Sequence, residues 1–357
     1  MTGATGVMGS YLLKLLLEND NKVYVLARNR ENMAARERII SALKLWDMPA
    51  LEQEGRNLIV VEGDITHAGL KISHKIISEL KEEAEIIFHS AALTSFTASL
   101  ETCRKINVEG VKNILDFALQ CKKIKVINHI STIFVIGNKG DVEFSEDRLI
   151  MGQGFFNAYE QSKYEAELLV RSYQSEGLKI NIFRPSAIIG DSKQGKINNF
   201  NLFYEPVRLF NKELFTLFPL DFDCSINLIN VDMAAEAIYL LGEMERPTVY
   251  HVISPEDTGM SFIANFSCDF FGFIMPKFIP YEKFDFNKMS HGQRALANPF
   301  IPYCNHKTRF LSKKTQNVLG QHEFRFPLID ENNLGRVFQY CLDSGYMKKR
   351  KRTKASP

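Results

Sequence analysis

The 357-residue chain has no apolar run long enough to cross a bilayer. Even the apolar stretch Tyr11–Leu17, interrupted by Lys14, falls far short of the roughly 20 residues a span needs. Cysteine is sparse: Cys103, Cys121, Cys224, Cys268, Cys304 and Cys341 show neither a zinc-type spacing nor a disulfide framework. They are expected to be small buried hydrophobes. The eight histidines include no pair four residues apart, so no metal site is expected. No signal peptide precedes the first motif, which starts at Thr2, and a reduced, cytoplasmic setting is the expectation. There is also no excess of one charge, with 44 basic against 42 acidic side chains. Six of the basic ones lie in the last ten residues, so the body carries about −4 and no nucleic acid is expected as a partner. The tail, residues 346–357, is expected to be solvated and disordered, or to associate weakly with a membrane surface. What remains, 45% hydrophobic and 24% charged with no repeat, is an ordinary globular composition.

Short apolar runs alternate with amphipathic patterns over the first two-thirds. Lys22–Ala27, Asn57–Val61, Glu85–Phe88, Lys125–His129 and Lys179–Phe183 read as strands. Ser10–Leu17, Glu31–Trp46, Leu100–Gln120 and Ala158–Ser175 read as helices. Strands that alternate with helices need crossovers, which implies an α/β, Rossmann-like, doubly wound parallel sheet. Residues 1–195 are expected to form a dinucleotide-binding domain, with elements near 226–254 returning to it. Residues 196–225 and 255–345, rich in Phe and Leu and broken by Pro206, Pro219, Pro276 and Pro280, suit a smaller substrate-binding lid.

Thr2–Gly9 carries Gly3, Gly6 and Gly9 directly before an apolar helix. Such a loop lets the backbone approach a pyrophosphate, with the helix N-terminus aimed at the anion. Thr5, Val7 and Met8 share that approach. A hydrophobic strand normally leads into this loop, and here only Met1 does. A truncated first strand, in a fragment of a longer protein, is the expectation. The next strand ends at Ala27-Arg28 rather than at an acidic residue. Arg28, with Arg38 on the following helix, would pair with a 2′-phosphate, so NADPH is expected over NADH. After the third strand, Asp64 could accept from an adenine amino group, with Ile65 beside it.

Tyr159 and Lys163, four residues apart, share one helical face. An ammonium beside a phenol favours phenolate, so Lys163 is expected to lower the Tyr159 pKa. Ser131 and Thr132 follow the strand upstream of that helix and supply a hydroxyl. Together these residues resemble the extended short-chain dehydrogenase/reductase family. The resemblance selects Thr132 over Ser131 and implies a Thr132-Tyr159-Lys163 triad, with Tyr159 and Lys163 also touching the cofactor. Ser90, Ala91 and Ala92 resemble its segment beside the cofactor, Asn107-Val108-Glu109-Gly110 its helix motif, and Arg184-Pro185-Ser186-Ala187-Ile188 its segment near the nicotinamide. Ser90, Ala91, Ala92, Asn107, Pro185, Ser186 and Ile188 are accordingly assigned to the cofactor, as the resemblance implies.

Arg28 with the Ala35–Trp46 helix, Gly63-Asp64-Ile65 before Gly69-Leu70, His89–Phe96 and Gly190–Gly195 resemble the thioester reductase and fatty acyl-CoA reductase branch. That branch implies reduction of an acyl thioester, on coenzyme A or a carrier protein, to aldehyde or alcohol. The alternatives are a nucleotide-sugar epimerase or dehydratase, another carbonyl reductase of the extended family, or a non-catalytic dinucleotide-binding protein. A homodimer through the Tyr159 helix is expected by analogy with similar families.

Overall fold

A computed structural model describes residues 1–30, 32–49, 55–140, 142–244 and 247–350. Most of the basic tail, including Lys351, Arg352 and Lys354, lies outside them. Four of the six cysteines are buried, two are half-buried, and all are free thiols. Among the described residues no helix is long and apolar enough to cross a membrane.

Six parallel strands carry the architecture: β1 (Val23–Ala27), β2 (Leu58–Glu62), β3 (Ile86–His89), β4 (Val126–Ile130), β5 (Ile180–Pro185) and β6 (Val249–Val252). β2 pairs with β1, and β3, β4, β5 and β6 pair in that order. Thr2 joins the two blocks through parallel bridges to Leu26 and His89, so Met1 and Thr2 alone occupy the middle of the sheet. β4 and β5 are buried at every residue, which only strands covered on both faces allow. Two buried asparagines among them are hydrogen-bonded. Asn128 donates to the Gly242 carbonyl at 2.8 Å and accepts from Asn181 at 3.1 Å.

Helices α1 (Val7–Glu18), α2 (Ala35–Leu45) and α7 (Val231–Gly242) bury Leu12, Leu13, Ile39, Leu43 and Ile238 in one apolar cluster with β1. The other cluster holds α5 (Gly110–Ala118) and α6 (Ala158–Ser175), through Ile114, Leu115, Ala166 and Val170. α3 (His74–Glu83) lies between β2 and β3 and is not among the helices read from the sequence. The expected helix at 100–120 is α4 (Leu100–Arg104), a π-turn over Lys105–Glu109, then α5. α6 has the bounds read from the sequence because Asn157 caps it, accepting from the Glu160 amide at 3.0 Å. The helix expected from Glu31 starts at Ala35, with Asn29 accepting from the Ala35 amide at 2.8 Å; Glu31 itself lies outside the described residues.

A third cluster is strongly aromatic and includes Phe203, Phe210, Phe218, Phe271, Phe300 and Phe338. Short parallel pairs frame it, such as Leu217–Pro219 against Lys277–Ile279. It stands beside the carboxyl ends of the sheet strands, where open α/β sheets bind ligands.

Arg184 at the end of β5 is fully buried. Its Nε and Nη2 donate to Glu167 at 3.0 and 2.5 Å, Nη1 meets His251 Nε2 at 3.0 Å, and the guanidinium lies 4.9 Å over Phe144. Burial pushes the Glu167 carboxyl up, but Arg184 and Arg171 outweigh it and hold Glu167 below the usual range. Arg184→Met strands that carboxylate and is expected to cost about 3–5 kcal/mol in a denaturant melt. Arg184→Met with Glu167→Leu should cost clearly less than Arg184→Met alone. An equal or greater loss in the double variant would mean the pair is not coupled.

Candidate active site

One cavity of about 1400 Å³ runs along the carboxyl edge of the sheet. Its wall holds the glycine loop, then Thr132, Tyr159 and Lys163, and also rings of the aromatic cluster, against which Val7 of the loop packs.

The loop has its shape because nothing but hydrogen fits at two positions. Gly3 has φ +75°, and a Cβ there would meet the Ser90–Ala91 backbone at 2.4 Å. A Cβ on Gly9 would meet the Gly3 carbonyl at 2.2 Å. Gly6 caps α1 with no side-chain hydrogen bond, so the first-turn amides are not spent on a cap. Those amides and the helix dipole suit a phosphate. A strap, residues 196–203, crosses the loop. Asn198 Nδ2 shares its protons among the Thr5 and Gly6 carbonyls and Ser10 Oγ, at 3.3, 3.0 and 3.1 Å. Trp46 Nε1 donates to the same Ser10 Oγ at 3.0 Å, and Lys196 pairs with Asp47 at 2.8 Å. Asn198 Oδ1 is buried, lacks a partner and belongs to a residue lining the cavity.

At the end of β1, Arg28, Arg30 and Arg38 all line the cavity. Arg38 donates to the Arg28 carbonyl at 2.6 Å and to Thr5 Oγ1 at 3.0 Å. Burial, then the charges of Arg30 and Arg28, pull the Arg38 guanidinium below its ordinary value. Three cations gathered in this way would be relieved by an anion. Arg30 was missed in the sequence, although it lies two residues beyond Arg28.

Gly3, Thr5, Gly6, Val7, Met8, Ile65, Ser90, Ala91, Ala92, Pro185, Ser186 and Ile188 also line the cavity. Three expected cofactor residues do not. Gly9 is packed beneath the loop. Asp64 Oδ1 accepts from the Thr66 amide and hydroxyl at 3.0 and 2.9 Å, and its Oδ2 lies 3.8 Å from Arg28, so the side chain is tied to its own turn just outside the cavity wall. Asn107, in the π-turn, braces both backbone groups of Leu93 and Ser162 Oγ from behind the wall.

Tyr159 is buried on the first turn of α6, with the Phe96 ring stacked on it at 5.7 Å. Burial pushes its hydroxyl up to about 12; a hydrogen bond with Thr132 opposes this, and the Glu160 charge adds to it. The expected lowering by Lys163 is therefore absent. Lys163 Nζ instead donates to the Ile130 carbonyl at 2.7 Å, and burial brings it down to about 8 against the pull of Glu167. Spacing on a helix face did not reveal how dry that face is. A phenol held at about 12 is a proton donor, which reduction of a carbonyl requires. Thr132 caps a short turn, accepting from the Phe134 amide at 3.3 Å, while Ser131 donates to Glu167 at 3.0 Å. Ser131 thus has an internal acceptor, while Thr132 and Tyr159 stand together in the cavity wall. Glu160, missed in the sequence, is buried, which raises it to about 7 against hydrogen bonds from Tyr303 and the Phe156 amide. Asp221, Asp223 and Cys224 form the one cluster of metal-ligand type among the described residues. Asp223 pairs with Lys307 at 2.6 Å and Asp221 accepts from the Tyr281 amide at 2.8 Å.

Fold and site together define an NAD(P)-binding oxidoreductase domain of the extended short-chain dehydrogenase/reductase type. The male sterility protein family matches residues 1–238, and the chain belongs to that family. A linear gramicidin synthase of Brevibacillus parabrevis is 26% identical over 371 residues, covering 98% of this chain and 7% of that protein. Fatty acyl-CoA reductase 1 of Gallus gallus is 32% identical over 238 residues, covering 56% of this chain and 45% of its own length. The chain thus spans less than half of either relative. Among solved structures, the terminal R domain of the myxalamid PKS-NRPS pathway superposes with a TM-score of 0.86 at 25% identity, covering 98% of this chain and 91% of that one.

Proposed function

We propose that the chain reduces an acyl thioester, with NADPH as the hydride donor and Thr132, Tyr159 and Lys163 as the working side chains. The observation that carries this is that a single cavity is lined by an anion cradle, a buried phenol and a set of apolar rings. Residues 1–195 with 226–254 would form the cofactor domain, and the remainder the acyl-binding part.

The glycine-loop amides would hold the pyrophosphate, and Arg28, Arg30 and Arg38 the 2′-phosphate. When bound, NADPH supplies a hydride to the thioester carbonyl carbon. Thr132 and Tyr159 donate hydrogen bonds to the carbonyl oxygen as it becomes an oxyanion. Tyr159 passes it a proton, and the hemithioacetal collapses to aldehyde and free thiol. A second reduction would give the alcohol. Lys163 would hold the nicotinamide ribose with its ammonium. Phe200, Phe203, Phe210, Phe218 and Phe300 line the chamber and favour an apolar acyl chain. Those five rings carry no hydrogen-bonding group and give an acyl chain more to pack against than a nucleotide sugar's hydroxyls have to pair with. The names of the relatives leave coenzyme A and a carrier protein both open as the acyl donor.

The test is NADPH consumption with a long-chain acyl-CoA and with the same chain on a carrier protein, Tyr159→Phe run alongside. Tyr159-dependent oxidation supports the reading, and silence with both donors overturns it. Arg28→Leu and Arg38→Leu are each expected to raise the NADPH KM about 10- to 100-fold and to change the NADH KM far less. Equal effects on both cofactors would remove the 2′-phosphate assignment.

A further inference from the structure

A residue far from the Tyr159 helix in sequence is fastened to its first turn. Tyr303 belongs to a short 3₁₀ turn, Ile301–Tyr303, at the edge of the aromatic cluster. Its ring lies 5.8 Å from Phe96, 5.9 Å from Phe134 and 5.3 Å from Phe156, the last two edge-on. Phe96 is the ring stacked on Tyr159. The Tyr303 hydroxyl donates to Glu160 Oε1 and accepts from Asn157 Nδ2 at 2.9 Å. Asn157 is the N-cap of α6, and Glu160 Oε2 accepts from the Phe156 amide at 2.9 Å. Tyr159 stands between these two anchored residues. It therefore has one neighbour pinned on each side and one ring pressed on its face, and all three constraints pass through Tyr303.

Glu160 is only 1% exposed, so it cannot replace a lost partner with bulk water. Removing the Tyr303 hydroxyl leaves a buried carboxyl short of a donor, which moves the turn that carries Tyr159. None of these hydrogen bonds or ring contacts reaches the glycine loop or the three arginines.

We propose that Tyr303 is a positioning residue for Tyr159, locking the catalytic turn to the acyl-binding part through Glu160, Asn157 and Phe96. This rests on the reductase reading above. It makes hydride transfer depend on a contact between segments that binding alone does not need.

The experiment compares wild type, Tyr303→Phe, Tyr303→Leu and Glu160→Gln in full kinetics, with NADPH Kd and melting temperature measured for each. Turnover is read on an acyl thioester and on a small aldehyde, which needs Tyr159 but no acyl chamber. Tyr303→Phe is expected to lower kcat about 10- to 100-fold with KM, NADPH Kd and melting temperature nearly unchanged. Tyr303→Leu should lose more, because Phe96 loses its support. Glu160→Gln keeps one acceptor oxygen where the carboxylate offers two, so it can serve Tyr303 or the Phe156 amide but not both, and should lose less of kcat than Tyr303→Leu without matching wild type. The proposal is overturned by kcat within twofold of wild type in Tyr303→Phe, or by a loss that tracks melting temperature or NADPH Kd. Aldehyde turnover without thioester turnover would sink the thioester reading and leave Tyr303 tested on the aldehyde. No turnover of either substrate would overturn both.

Discussion

Tyr159→Phe is expected to lower kcat about 10²- to 10⁴-fold while leaving NADPH affinity within about twofold. The substitution removes one oxygen and keeps the ring, so the stack on Phe96 and the packing of α6 survive. What is lost is the proton donor to the oxyanion, together with one of its two hydrogen bonds. Burial makes both effects large, because the hydroxyl acts where water does not compensate. Its pKa of about 12 also keeps it protonated across the working range. Single-turnover rates with NADPH and thioester mixed from separate syringes would separate the chemical step from binding. A variant with near wild-type kcat would take Tyr159 out of the reaction and remove the basis of the reading.

The second large effect is on stability in mild acid. His89, His129 and His251 are buried and neutral. Burial, then Lys163 and the N-terminus, lowers His89 to about 3. Burial, then Arg184, lowers His251 to about 3, against the Leu311 carbonyl. Burial, then Lys163 and His89, takes His129 well below its ordinary value. Folded pKa values below the unfolded 6.5 mean that the unfolded chain takes up protons which the native state refuses. Stability from these groups is full above about pH 6.5 and falls as pH drops toward 3. Glu160 works in the opposite sense between about 7 and its ordinary 4.5, and offsets one of the three. The net uptake of about two protons corresponds to roughly 2.7 kcal/mol per pH unit. Of the usual 5–15 kcal/mol, a domain at the lower end is then expected to unfold near about pH 4.5, and one at the upper end to keep roughly half its stability at about pH 4. Denaturant melts at half-unit pH steps would read the slope, and His129→Leu should reduce it by about one proton. A flat profile from about pH 6.5 to 5 would mean that the imidazoles are solvated.

The strands and the glycine loop were legible because their signals are local. An apolar run of five residues, or three glycines before a helix, implies its geometry within one window. The bounds of α6 could be read because Asn157 is a capping residue. The sequence spacing also put Tyr159 and Lys163 on one face, but it was silent on the dryness that raises one group and lowers the other. That Asp64 Oδ1 closes a turn with Thr66 was not visible either, because an Asx-type turn looks the same in sequence as a free side chain. Asn198 and Tyr303 carry no motif. Their roles come from segments that meet only in the folded chain, and 143 residues separate Tyr303 from Glu160. Arg184 was seen as part of a cofactor motif, whereas its side chain turns away into the core to meet Glu167 and His251.

The strap over the glycine loop has a thermodynamic consequence. Asn198 grips the loop backbone, and Phe200 and Phe203, a few residues on, form part of the acyl chamber wall. A shift of this short segment is thus registered at both the loop and that wall. By reciprocity, whatever tightening a bound dinucleotide gives the chamber, a bound acyl chain returns to the dinucleotide in equal measure. A strap of this kind makes the two ligands hold each other in place, so that each one's dissociation constant shifts by the same factor when the other is bound.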